Sequence, residues 1–154
     1  MRTTQISHQL VEFIPEVVQD GVLYVSLRYG TAVHKCFCGC GEEVVTPLGP
    51  TDWSIRIDGH FVTLYPSVGN WSYACRSHYF IRRSNIIWAG DMTVQEIEWG
   101  RTLDRAEKAA HFERVNQAKI GRPTATSSSA GANSERPGLL DRIYNAFKGW
   151  FGEK

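Results

Sequence analysis

Three of the four cysteines, Cys36, Cys38 and Cys40, lie within five residues, and the fourth, Cys75, lies well downstream. Thiols this close in sequence cannot pair with one another without straining disulfide geometry. The glycines that follow them let the backbone turn around a metal ion, and thiolates are ligands that zinc prefers. The pattern therefore predicts a zinc site, with buried or redox-active free thiols as the alternative.

The second cluster, Cys75-Arg76-Ser77-His78, offers a histidine as well as a thiol and leaves two ligand sets open. Either all four cysteines hold the metal and His78 is free, or His78 replaces one cysteine of the first loop. Alternate residues of a straight strand are roughly 6.6 Å apart, so a four-thiol site requires sharp turns at Gly39 and Gly41. Four protein ligands leave no open position for water, and such a zinc would be structural.

Serines near His78 raise the question of nucleophilic catalysis, which needs a base within hydrogen-bond reach of the nucleophile. Ser77 precedes His78 directly, and adjacent side chains of a strand point to opposite faces, which argues against that pair. Ser67 would approach His78 from a neighbouring loop. There Gly69 would let the backbone present N–H groups to an oxyanion.

A third member, which would orient the base, is not identified by spacing. Asp52, Asp58 and Asp91 all offer a carboxylate, and nothing in their positions chooses among them. A serine in a Pro-Ser turn is most often a turn residue that hydrogen-bonds locally. From the residues alone, a non-catalytic serine is therefore the simpler interpretation.

The elements that would position these residues are short strands from Val22 to about Trp88. Runs of β-branched and aromatic residues, or period-2 alternation, mark residues 22–28, 43–46, 53–57, 60–65, 78–81 and 85–88. Asp58-Gly59, between two of these segments, is typical of a two-residue hairpin. We therefore predict a mainly β fold, built as a small zinc-stabilised antiparallel β domain.

One helix is predicted after the strands, because Thr93-Val94-Gln95-Glu96 has the form of a capping box. The helix should run to about Ala118, with Asp104 set four residues before Lys108 on the wet side. The residues expected near its packed face are Trp99, Leu103, Ala106 and Ala110. Residues 1–120 are accordingly predicted to form one zinc-containing β domain with its following helix.

The rest of the chain is predicted to form a linker and a tail. Residues 121–138 are rich in Ser, Thr, Ala, Gly and Pro, a composition typical of a disordered linker. Residues 139–154 recover helical periodicity and predict a short amphipathic helix. Such a helix is marginal alone in water, so its aromatic face needs a surface. That surface would be its own domain, another protein or, less in keeping with its weakly basic polar face, a membrane interface.

Charge and hydropathy exclude some function classes. The 154 residues carry 17 basic and 16 acidic side chains, a net charge of +1, which gives no surplus for a phosphate backbone. Nucleic acid is therefore not a predicted partner, although Arg76, Arg82 and Arg83 lie near aromatic residues. No apolar run approaches the roughly 20 residues of a membrane span, and no signal-peptide core begins the chain. Cysteines gathered for a metal indicate the cytoplasm.

Several stretches of the chain resemble a family of small bacterial proteins, formerly of unknown function. Residues 34–48 carry its Cys-x-Cys-Gly-Cys-Gly signature, and residues 75–81 carry its Cys-x-Ser-His-Tyr box. Residues 64–70 and 86–88 add to the likeness, which covers roughly residues 22–89. Members of the family occur beside genes for ubiquitin-like proteins and for E1-like and E2-like conjugating enzymes. Some are zinc-containing serine peptidases that trim the ubiquitin-like protein.

The resemblance implies a serine peptidase that processes the C-terminus of a bacterial ubiquitin-like protein. It implies structural zinc on Cys36, Cys38, Cys40 and Cys75. It implies a catalytic pair among Ser67, Ser77 and His78. The alternative is a non-catalytic zinc-binding adaptor for the ubiquitin-like protein or its conjugating enzymes, with the C-terminal helix docked on a protein partner. The hypotheses differ at His78, which is a base in the first and a metal ligand in the second.

Overall fold

The computed structural model describes residues 1–120, which form eight strands and one helix. The elements are β1 (Ser7–Leu10), β2 (Val22–Ser26), β3 (Thr31–Lys35), β4 (Glu43–Pro47), β5 (Ser54–Asp58), β6 (Phe61–Gly69), β7 (His78–Arg82), β8 (Asn85–Trp88) and α1 (Val94–Ile120). The prediction of a mainly β fold with one following helix is confirmed. The predicted linker, residues 121–138, and the predicted C-terminal helix, residues 139–154, lie outside the described residues.

The strands form two four-stranded sheets, in the orders β1-β2-β3-β4 and β5-β6-β7-β8. Neighbouring strands are antiparallel except β1 and β2, which run parallel. The two sheets share one apolar core, to which β2 contributes Leu23 and Val25 and β7 contributes Tyr79 and Ile81. Burial of this apolar area is the main term that stabilises the domain.

Strand β1 has no counterpart among the predicted strands, because its residues are mostly exposed and lack an apolar alternation. It is held by backbone hydrogen bonds instead. Next to it, the N–H of Ile6 donates to the carbonyl of Ser84 at 2.9 Å, and the N–H of Ile86 donates to the carbonyl of Thr4 at 2.9 Å. The beginning of the chain therefore ties the first sheet to the second.

The hairpin predicted around Asp58-Gly59 joins β5 and β6. Asp58 pairs with Phe61, so the two loop residues are Gly59 and His60, one position later than the predicted dipeptide. Gly59 has a φ of +58°, a conformation that disfavours residues with a Cβ. The glycine thus explains why the turn forms here.

Helix α1 begins where the capping box predicts. The N–H of Thr93 donates to Glu96 Oε2 at 2.7 Å, and the N–H of Glu96 donates to Thr93 Oγ1 at 3.3 Å. The predicted packed face is wrong, however: Trp99 is 68% exposed, and Ile97 is the buried residue of the helix. Asp104 contacts Lys108 at 3.1 Å as predicted, and Asp52 contacts the same ammonium at 2.9 Å. In the described part of the chain, no helix has the length and apolarity to cross a membrane.

Candidate functional site

The structure brings the four cysteine sulfurs together, all within 4.8 Å of one another. The loop after β3 supplies Cys36, Cys38 and Cys40, and the loop before β7 supplies Cys75. The first loop can turn so tightly because of two glycines of positive φ, at +86° and +88° (Gly39 and Gly41). The sharp turns that a four-thiol site requires are therefore present.

The sulfur spacing fits one tetrahedral metal ion. Four thiolates at about 2.3 Å from a zinc ion lie roughly 3.8 Å from one another. The sulfur of Cys36 lies 3.3 Å from that of Cys38 and 4.0 Å from that of Cys75, and Cys40 lies 3.7 Å from Cys75. All four thiols are free of disulfides. This donor set is chemically suited to zinc and to other metals that prefer thiolates.

Ser77 hydrogen-bonds with this thiol cluster. Its hydroxyl lies 3.0 Å from the sulfur of Cys36 and accepts a hydrogen bond from Asn70 Nδ2 at 2.8 Å. Burial acts to raise the pKa of the Cys75 thiol, but hydrogen bonds from the N–H and hydroxyl of Ser77 lower it to about 7. Donors of this kind favour thiolates, the form that binds metal.

Ser67 and His78 meet on the neighbouring strands β6 and β7, so Ser67 lies on a strand and not on the loop expected from the sequence. Gly69 pairs with His78, and the register of β6 shifts between Leu64 and Val68, next to Ser67. The hydroxyl of Ser67 lies 3.0 Å from His78 Nε2. This distance allows direct proton transfer from the serine to the imidazole.

The second nitrogen of His78 fixes the tautomer. Nδ1 lies 3.1 Å from the backbone carbonyl of Gly90. A carbonyl accepts only, so Nδ1 carries the proton and Nε2 is left to accept from Ser67. The carbonyl therefore takes the orienting position that a carboxylate occupies in a Ser-His-Asp triad.

Two aromatic rings lie near the imidazole of His78. The ring of Trp71 meets it edge-on with centroids 5.0 Å apart, and the centroid of the Phe80 ring lies 5.9 Å from it. Burial lowers the pKa of His78 below its ordinary value, against smaller raising effects of the Gly90 carbonyl and the charge of Asp91. The imidazole is thus neutral at neutral pH, as a general base must be.

Arg76 fixes the segment that carries the Gly90 carbonyl. Its Nε and Nη2 atoms donate to the two carboxylate oxygens of Asp91 at 3.2 and 2.9 Å. Nη2 also donates to the carbonyl of Met92 at 3.0 Å. Arg76 therefore anchors the residues that directly follow Gly90, whose carbonyl contacts His78.

His34 lies in the core and apart from the thiol cluster's ligand atoms. It is fully buried in β3, stacks on Phe37 at 4.4 Å, and has Nε2 2.8 Å from the hydroxyl of Tyr79. Burial lowers the pKa of His34 to about 3, so this imidazole is neutral. Asn70 Nδ2 also lies 3.4 Å from the Tyr79 hydroxyl, which links His34 to the surroundings of Ser77.

The structure thus separates the predicted site residues into two groups. The first holds the thiols of Cys36, Cys38, Cys40 and Cys75, with Ser77 against them. The second holds Ser67 and His78. Both ring nitrogens of His78 form hydrogen bonds with partners outside the thiol cluster. Of the three aspartates considered as a third member, Asp52 contacts Lys108, Asp58 lies near Arg83, and Asp91 contacts Arg76.

Three contributors to the site were not predicted from the sequence. The Gly90 carbonyl belongs to the backbone, and no residue type announces it. Trp71 directly follows the segment of residues 64–70, and Arg76 occupies the variable position of the Cys-x-Ser-His-Tyr box, so only their positions next to Asn70 and Cys75 could have drawn attention to them.

Comparison with known proteins finds a matching family. A family model described as "Bacterial ubiquitination-like system serine protease (BubE)" matches residues 10–89, which is more than half of the chain. The matched residues include both groups of site residues but not Gly90. No curated protein and no solved structure matches the chain. The chain therefore belongs to the bacterial ubiquitination-like system serine protease family, and the family resemblance stated from its sequence is confirmed.

Proposed function

We propose that this protein is a zinc-stabilised serine peptidase that processes the C-terminus of a bacterial ubiquitin-like protein. The observation that carries the proposal is the pair formed by Ser67 and His78, 3.0 Å apart, with the second imidazole nitrogen held by the Gly90 carbonyl. The family to which the chain belongs supports a protease in a ubiquitination-like system. The C-terminal cleavage and the roles of single residues are our assignment.

In the proposed mechanism, Ser67 Oγ attacks the scissile carbonyl while its proton passes to His78 Nε2. The imidazolium then gives this proton to the leaving amine, and an acyl-enzyme remains on Ser67. Water, deprotonated by His78, attacks the acyl carbon and releases the new C-terminus. The Gly90 carbonyl keeps the proton of Nδ1 in place throughout. The backbone N–H of Gly69 is assigned to the oxyanion, because alternation along the ladder points it away from β7, whereas the N–H of Asn70 already donates to the carbonyl of Ser77.

Cys36, Cys38, Cys40 and Cys75 would hold zinc in a closed site. Bound there, zinc supplies cross-linking of the two loops and no Lewis-acid chemistry, since four protein ligands fill a tetrahedron. Ser77 is assigned to support these thiolates, because its hydroxyl lies against Cys36 and is oriented by Asn70. We further propose a ubiquitin-like substrate, E1-like and E2-like enzymes as possible partners, and a cytoplasmic location.

The test compares Ser67→Ala with Ser77→Ala on the ubiquitin-like precursor of the same bacterial system, with cleavage followed by intact mass. Ser67→Ala should abolish cleavage and labelling by a fluorophosphonate while retaining metal and fold. Ser77→Ala should keep the labelled serine and weaken metal binding. Cleavage that survives in Ser67→Ala would refute the assignment of the nucleophile.

The adaptor alternative makes the opposite prediction for His78. If His78 were a ligand, His78→Ala would lose metal. In the peptidase proposal the same variant keeps its full metal content and loses turnover. The two nitrogens of His78 already have partners outside the thiol cluster, which favours the peptidase.

A further inference from the structure

Strand β4 lies at the open edge of the first sheet. The backbone hydrogen bonds that continue its ladder with β3 run from the N–H of Cys36 to the carbonyl of Glu42 and from the N–H of Leu48 to that of Gly30. Antiparallel alternation then points the backbone groups of residues 44 and 46 toward β3. Those of residues 43, 45 and 47 point outward, away from the sheet.

The carbonyls of two of these three residues accept hydrogen bonds from within the protein. The hydroxyl of Tyr73 donates to the carbonyl of Glu43 at 2.6 Å, and the N–H of Trp53 donates to the carbonyl of Pro47 at 3.0 Å. Between them, the N–H and the carbonyl of Val45 have no hydrogen-bond partner among the described residues. Val45 therefore offers one donor and one acceptor, and two aromatic residues frame it.

A cleft of about 200 Å³ runs along this edge, lined by residues 44–46, Trp53 and residues 68–73. It adjoins the proposed catalytic pair through two tryptophans. The indole N–H of Trp53 donates to the carbonyl of Ser67 at 3.4 Å, and Trp71 lies against the ring of His78. A chain lying in the cleft would therefore lead to Ser67.

We propose that this cleft binds the substrate as one extended segment, which adds to the edge of β4 by pairing with Val45. In an antiparallel pair, two facing residues exchange both backbone hydrogen bonds, so a single substrate residue would satisfy the N–H and the carbonyl of Val45. An extended, unfolded tail presents its backbone in this way. The three aromatic walls, Trp53, Trp71 and Tyr73, favour a narrow tail of small residues. This inference rests on the proposed function and names its substrate class.

The test replaces Val45 by proline, which removes the outward N–H and leaves the ladder to β3 intact. The site tolerates proline, because Pro47 already occupies the next outward position of the same strand. Val45→Ala is the matched comparison, since it shortens the same side chain and keeps the N–H. Cleavage of the ubiquitin-like precursor by Val45→Pro should have a kcat/KM about tenfold below that of Val45→Ala.

Labelling of Ser67 by a small fluorophosphonate separates this inference from the function on which it rests. We expect the cleavage rate to fall in Val45→Pro by a much larger factor than the labelling rate. Equal kcat/KM values for the two Val45 variants, with normal labelling, would overturn the strand addition alone. A wild-type protein that neither labels nor cleaves would overturn both proposals.

Hydrogen exchange gives an independent readout that needs no substitution at Val45. In the Ser67→Ala protein saturated with the precursor, the amide of Val45 should exchange at least about tenfold more slowly than in the free protein. An unchanged exchange rate at that amide would count against the inference, even if the precursor binds.

Discussion

Arg76 binds Asp91 through two guanidinium nitrogens, and this pair connects the loop of Cys75 to the segment whose Gly90 carbonyl orients His78. Bidentate contacts of this kind fix geometry as well as charge. Both side chains are exposed, so the pair contributes little to stability. Its effect should therefore be visible in catalysis more than in unfolding.

We expect Arg76→Ala to lower kcat on the precursor about tenfold, because a displaced Gly90 carbonyl leaves His78 free to rotate. Metal content and Tm should change little. Arg101→Ala is the matched control, since Arg101 forms an exposed ion pair with Glu98 on the helix. A loss of kcat equal in the two variants would contradict a positioning role for Arg76.

The pH dependence of kcat/KM should report His78. Burial lowers the pKa of His78, so the acid limb of the profile should fall below the ordinary histidine value of 6.5. Asp91 acts in the other direction, because its negative charge favours the imidazolium. Asp91→Asn should therefore move the acid limb to still lower pH.

This shift should be largest at low ionic strength, since Asp91 is exposed and salt screens its charge. The measurement is kcat/KM between about pH 4.5 and 8 at two salt concentrations, about 0.02 M and about 0.5 M. A limb that moves to higher pH in Asp91→Asn would show that Asp91 does not act on the imidazole through its charge.

Metal analysis should find one equivalent of zinc per chain. Cys75→Ser should lose it and lower the Tm by about 10 °C or more, because a closed thiolate site contributes directly to folding. His78→Ala is the control, three residues along the chain, and should keep the metal. Retained zinc in Cys75→Ser would remove Cys75 from the ligand set.

Gly69→Ala should disturb the ring beside the imidazole. A Cβ at Gly69 would lie 2.4 Å from Trp71 Nε1, so the indole must move away from its place against His78. We expect kcat/KM to fall about tenfold.

The control for Gly69→Ala is a glycine in open space. A Cβ at Gly100 meets nothing within 4 Å, and alanine in a helix is favoured over glycine by about 1 kcal/mol. Gly100→Ala should thus raise the free energy of unfolding and leave cleavage unchanged. Unaltered activity in Gly69→Ala would mean that Trp71 has no part in the site.

Much of the site could be predicted because it depends on residue types with few alternatives. Closely spaced thiols with glycines between them are typical of a loop that turns around one metal ion, and Gly39 and Gly41 have the positive φ that such a turn requires. The sequence predicts the contact between Ser67 and His78 only as one of several possibilities, because the contact depends on the pairing of residues 69 and 78 in neighbouring strands. Register of this kind is not written in local sequence.

Other features could not be predicted from residue types and their spacing. A backbone carbonyl such as that of Gly90 has no side-chain signature, so residue types alone cannot identify it as the group that orients His78. Strand β1 is built on hydrogen bonds and not on apolar alternation. The exposed Trp99 shows the limit of helical periodicity, which tells which residues share a face but not which face packs.

Four consecutive residues, Cys75-Arg76-Ser77-His78, each face a different partner: a thiol cluster, an ion pair, a buried amide and a serine hydroxyl. The four residues that make these contacts follow one another directly, with no spacer residue between them. An insertion or deletion of one residue inside this tetrapeptide would consequently disturb all four contacts together. The length of this segment is therefore fixed by the spacing of its four contacts, apart from what each side chain does on its own.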